Sequence, residues 1–190
     1  MNMDGVSFLG WVHTIACTVA LLAGAYVLLR EKGTARHKQM GRIYFYALLV
    51  ACLSIFGVYH FDIQFAPLKA GPGIFGLFHY ENLATLVALL IAFFAASRQR
   101  RAFFAYAHPL AMLFTYYMLL GGLINELLVR VPVLRALALA GAPAGRNPAQ
   151  TPLAVAAQWA AMLWFLGAVV WFAVQVARGR RRVSVLLPAE

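Results

Sequence analysis

The sequence predicts an all-α integral membrane protein: a four-helix bundle made of two repeated helical hairpins, plus a fifth transmembrane helix. Three observations predict this class. Of 190 residues, 63% are hydrophobic and 12% charged, more apolar surface than a soluble domain of this size can hide. Five apolar stretches have the length needed to cross a hydrocarbon core about 30 Å thick as helices. The histidines also recur at matching places in successive hairpins, which suggests an internal repeat. None of the stretches alternates strictly over about ten residues, so a transmembrane β-barrel is excluded.

The first span runs from Phe8 to Leu29. It follows Met-Asn-Met-Asp, with no basic n-region and no small-residue cleavage site ahead of Arg30, and reads as a retained helix rather than a cleaved signal peptide. The second, Ile43 to Tyr59, is the shortest and is expected to borrow residues from its polar flanks. "FDIQFAPLKAGPGIFG" follows, broken by Gly71, Pro72 and Gly73. The third and fourth spans are Phe75 to Ala96 and Phe103 to Leu128, joined by Ser97 to Ala102. Residues 129–152 form an outer loop, whose first part, Val131 to Ala140, has the composition of an interfacial helix. The fifth span, Leu153 to Val176, carries Trp159, Trp164 and Trp171, lacks histidine and is expected to pack outside the bundle. The whole chain reads as a single transmembrane domain.

The net charge of +10 is unevenly placed. Arg30, Lys32, Arg36, Lys38 and Arg42 separate the first two spans; Arg98, Arg100 and Arg101 separate the third and fourth; Arg178, Arg180, Arg181 and Arg182 follow the fifth. Twelve of sixteen basic residues therefore fall on one side, the cytoplasmic one by the positive-inside rule. The amino terminus is then outside and the carboxyl terminus inside. Clusters so placed face anionic lipid and fix orientation, which argues against a nucleic-acid partner. Cys17 and Cys52 fall inside spans and read as small buried residues rather than a disulfide.

The repeat carries the functional argument. His13 lies near the outer start of the first helix and His37 near the inner start of the second; His79 and His108 occupy the same places in the second hairpin. Met40, Tyr44 and Tyr46 follow His37, as Met112, Tyr116 and Tyr117 follow His108, at offsets that share one helical face. With His60 on the outer side, the histidines form two layers separated by roughly 20 to 25 Å of helix. The tyrosines read as packing residues, and Gly121 and Gly122 as close helix contacts.

Two chemistries fit those layers. A bis-imidazole haem b site needs one neutral imidazole from each of two helices: His13 with His79 outside, His37 with His108 inside. Gly24 and Gly41 leave room for a flat macrocycle, and the basic residues near the inner pair suit propionates. Two such haems would carry electrons across the bilayer, with a quinone or a membrane redox partner as donor or acceptor. The outer layer alone suits a zinc, copper or ferrous ion, held by His13, His60, His79, Glu81 and Glu126, with Asp62, Asn82, Asn125 and Gln158 nearby. Ionisable residues at membrane depth are functional candidates by default. Cys17, four residues after His13, adds a soft donor in that reading. A structural or assembly subunit with no cofactor is the third reading. A lone interfacial histidine needs no function, because the ring sits well where apolar and wet regions meet.

The stretch "GWVHTIACTVALLAGAYVLLREKGTARHKQMGRIY", with His13, Gly24, Gly33, His37, Gly41, Arg42 and Tyr44, resembles the bacterial predicted membrane proteins of domain-of-unknown-function family 2306 (DUF2306). His79 to Tyr117 is similar to the second half of that pattern, so the resemblance covers about residues 10 to 120. It departs at "YAHPLAM", where Pro109 follows the histidine and no arginine adjoins it. The resemblance implies an integral protein of the bacterial inner membrane and brings no established activity.

Overall fold

Every regular element among the described residues is helical, as the periodicity predicts. The computed structural model describes residues 8–58, 77–97, 102–141, 143, 145 and 148–177. Its helices are α1 (Phe8–Leu29), α2 (Ala35–Val58), α3 (Leu77–Ser97), α4 (Ala102–Arg130), α5 (Pro132–Leu139) and α6 (Pro152–Ala177), with a 3₁₀ turn at Pro148–Gln150. All but α5 are long and apolar enough to cross a membrane. The chain divides into two compact units, residues 1–94 and 95–190.

Span boundaries follow the apolar runs within two residues except at α2, which borrows from its polar flank as expected. That helix starts eight residues before Ile43, so Arg36, Lys38 and Arg42 lie on helix rather than in the connection. The reason is a local stop-and-start signal. Lys32 Nζ donates to the carbonyls of Leu28, at 2.7 Å, and Val27, closing the carbonyl end of α1, where a cation also suits the helix dipole. Gly33 turns the chain at φ 83°, a left-handed conformation that glycine adopts without a Cβ penalty. Thr34 Oγ1 then accepts the His37 backbone N–H at 3.1 Å, while the Lys38 N–H reaches the Thr34 carbonyl at 3.0 Å. Thr34 is thus the N-cap of α2 and His37 its third residue. Arginine and lysine are good helix formers and do not delay the start.

In the first unit α1 and α2 run antiparallel. The buried face of α1 is Gly10, Ala16, Ala20, Ala23, Gly24 and Val27; residues this small let helix backbones approach where lipid provides no hydrophobic drive between helices. Tyr44, Leu48, Ala51 and Cys52 are the buried counterparts on α2. On α3, His79, Asn82, Thr85, Ala88, Ala92 and Ala95 are buried, three or four residues apart on one face.

In the second unit α6 lies antiparallel to α4 through a ladder of rings. Tyr106 meets Phe172 at 6.4 Å between centroids, Tyr116 meets Trp164 at 6.1 Å, and Tyr117 stacks on Phe165 at 4.9 Å. Gln158 Nε2 donates to Asn125 Oδ1 at 2.7 Å. In the connection between α4 and α6, α5 packs Ala138 with Leu128 and Ala154, beside Ile124 and Leu134. Pro109 sits inside α4 without ending it, as membrane helices allow. Among the described residues a Cβ added at Gly121 or Gly122 would meet nothing within 4 Å, so the close contact expected of this pair is not made with any described residue.

Candidate functional site

The polar groups of the first unit gather around residues 51–56 of α2, and each helix contributes for a legible reason. Ser54, one turn past Ala51 on α2, donates its hydroxyl to the Ala51 carbonyl at 2.8 Å. Intrahelical bonding of this kind is how a buried serine is satisfied where water is absent. His13 of α1 reaches across to the same place: its Nδ1 lies 3.1 Å from the Ala51 carbonyl and 3.0 Å from Ser54 Oγ.

This arrangement sets the histidine tautomer. A carbonyl can only accept, so the Ala51 oxygen beside Nδ1 favours a proton there, and Ser54, whose hydroxyl reaches the same carbonyl, can accept from Nδ1 as well. Nδ1 therefore carries the proton and a neutral ring keeps its lone pair on Nε2. That lone pair faces Cys17 Sγ, 3.5 Å away and one turn along α1. An Nδ1–H held by a backbone carbonyl is how proteins orient a metal-ligating imidazole.

The third helix is tied to the same stretch of α2. Asn82 Nδ2 donates to the Cys52 carbonyl at 2.9 Å, and the His79 ring lies 5.9 Å from that of Phe56. His79 is 3% exposed and Asn82 5%. Thr85 Oγ1 donates to the Glu81 carbonyl at 2.8 Å. His13 and His79, assigned together to the outer layer, are thus both fastened to residues 51–56.

His37 stands at the opposite end of α2. Fourteen to seventeen residues separate it from Ala51 and Ser54, about 21 to 26 Å of helix. Its ring is half-buried. His108 and Glu126 belong to the second unit, where both are half-buried on α4. His60 and Asp62 lie outside the described residues. Glu81 is half-buried on α3. Among the described residues, no three His, Cys, Asp or Glu side chains gather closely enough to hold a metal ion.

Sequence reasoning missed Ser54 and the Ala51 and Cys52 carbonyls. Ser54 had a signal: it is the one hydroxyl in "LLVACLSIFG", and polar residues inside a span are rare enough to ask for a reason. The carbonyls had none, because any residue type supplies one.

A family model described as a predicted membrane protein (DUF2306) matches residues 10–144. No curated protein and no solved structure matches the chain.

Proposed function

The chain belongs to the DUF2306 family of predicted membrane proteins, and from that premise we propose that it handles a soft transition-metal ion, copper(I) or zinc, at the α1–α2 interface of its first unit. The observation that carries this reading is the separation of His13 Nε2 and Cys17 Sγ, 3.5 Å. A tetrahedral ion bonded to nitrogen near 2.05 Å and to sulfur near 2.3 Å holds the two about 3.5 Å apart. The Nδ1–H is already anchored, so the lone pair points at that position without rearrangement. Thiolate and imidazole together select copper(I) or zinc over the harder cations, and binding would release the Cys17 proton. The ion is a cargo here, and the lipid bilayer is the medium in which the protein handles it.

The haem b reading rests on the same tautomer together with the burial of His79 on a second helix. It implies a quinone or redox partner and extends to His37 with His108. It is the weaker fit at His13, because Cys17 sulfur occupies space that a macrocycle bound to Nε2 would need. The charge distribution supports a bacterial inner-membrane location with the basic ends cytoplasmic in either case.

Metal analysis and an absorption spectrum of purified full-length protein separate these readings. The metal-ion reading expects about one copper or zinc per chain, lost in His13→Ala and Cys17→Ala, with no Soret band. A Soret band that weakens in His13→Ala or His79→Ala would replace it with haem. Colourless, metal-free protein from replete cells leaves only a structural subunit.

A further inference from the structure

A groove of about 630 Å³ runs along the α1–α2 hairpin, and neither His13 nor Cys17 is among its lining residues. Ala16, Val19, Tyr46, Ala47 and Val50 are among its lining residues. Two of these are alanines, whose small side chains leave room, and the groove is open: Tyr46 is 58% exposed and Val50 43%. The lining is apolar until one end, where Gln39 and Arg42 close it. Arg36 and Lys38 stand exposed on the same first turns of α2.

We propose that this groove seats one acyl chain of an anionic phospholipid whose phosphate rests on Arg42. Two features select that occupant. From Gln39 to Val50 is eleven residues, about 16 Å of helix, close to the roughly 15 Å depth of one leaflet; the trough is as long as a lipid tail is deep. The polar end carries a guanidinium, which is permanently charged and matches phosphate as a bidentate partner, with further cations beside it. A neutral quinone head has no need of that charge. A second copy of the chain docked face to face on the groove would bring its own Arg42 toward this one, since a two-fold contact repeats the same patch. The site is independent of the metal reading, which rests on His13 and Cys17, neither of them a lining residue of the groove.

The test uses the full chain reconstituted in phosphatidylcholine vesicles with spin-labelled phosphatidylglycerol or spin-labelled phosphatidylcholine. Wild type is expected to show a motionally restricted lipid component that prefers phosphatidylglycerol. Arg42→Gln should lower that preference about fivefold, the effect of one basic residue near an anionic surface. Arg135→Gln, the same charge change on α5, should leave it unaltered. Ala47→Trp, which puts a large ring into the lining, should remove the restricted component while helix content by circular dichroism is retained. Equal effects of Arg42→Gln and Arg135→Gln would overturn the proposal, as would a restricted component that survives Ala47→Trp. Recovery of a quinone from the groove, or a dimer lost in Ala47→Trp with lipid binding unchanged, would also overturn it. The Arg42→Gln comparison stands even if the tryptophan variant misfolds, because Arg42 is exposed.

Discussion

Ser54 Oγ lies 3.0 Å from His13 Nδ1 while giving its own proton to the Ala51 carbonyl. The Ala51 carbonyl, which can only accept, favours the hydrogen on Nδ1 of a histidine in the neighbouring helix, and the buried serine supports that choice. Everything proposed for His13 follows from that choice, because the opposite tautomer would turn a proton, not a lone pair, toward Cys17.

Replacing Ser54 with alanine is expected to weaken the orientation of His13 without abolishing it, since the Ala51 carbonyl remains 3.1 Å from Nδ1. Loss of an outer-shell partner of this kind lowers metal affinity about 10- to 100-fold. A copper(I) competition titration of Ser54→Ala against wild type measures it; an unchanged affinity would mean that Ser54 has no hold on the ligand.

Asn82→Leu removes the donor to the Cys52 carbonyl that ties α3 to α2. Interhelical hydrogen bonds in membranes average about 0.6 kcal/mol, reaching about 1.7, so a loss within that range is expected in a reversible detergent-unfolding titration. A larger loss would show that the bond secures packing beyond itself.

Thr34→Ala deletes the N-cap of α2 and leaves the His37 N–H without its hydroxyl acceptor. About 1 kcal/mol of local stability should go with it. Hydrogen exchange at the first turn of α2 should speed roughly fivefold, while amides near Leu48 keep their protection.

Ala20 is 0% exposed and Leu22 is 67% exposed on the same helix. Ala20→Leu should cost about 1–3 kcal/mol by overpacking the α1–α2 contact, whereas Leu22→Ala should change stability little. Thermal unfolding of both in one detergent makes the comparison, and equal effects would contradict the assignment of the two faces.

The sequence was most informative where physics is local. Span lengths follow from apolar run length, and α1 begins and ends as that rule says. At α2 the rule stopped short, because basic residues end an apolar run but not a helix; Thr34, not Ile43, marks the start. The pairing of His13 with Cys17 was visible as a four-residue offset, and the common level of His13 and His79 as matching positions in two hairpins. The hydrogen bonds that give His13 its tautomer were not legible, since they rest on a backbone carbonyl and on the register of two helices. The glycine pair of α4 shows the converse: "GG" has the look of a contact, but composition does not say which face of a helix a neighbour covers.

Copper-edge X-ray absorption of the full-length protein loaded anaerobically with one equivalent of copper(I) tests the central claim most directly. A sulfur scatterer near 2.3 Å together with an imidazole nitrogen near 2.0 Å is predicted in wild type, with the sulfur shell lost in Cys17→Ser and the imidazole signal diminished in His13→Ala. Spectra that are the same in wild type and both variants would contradict it.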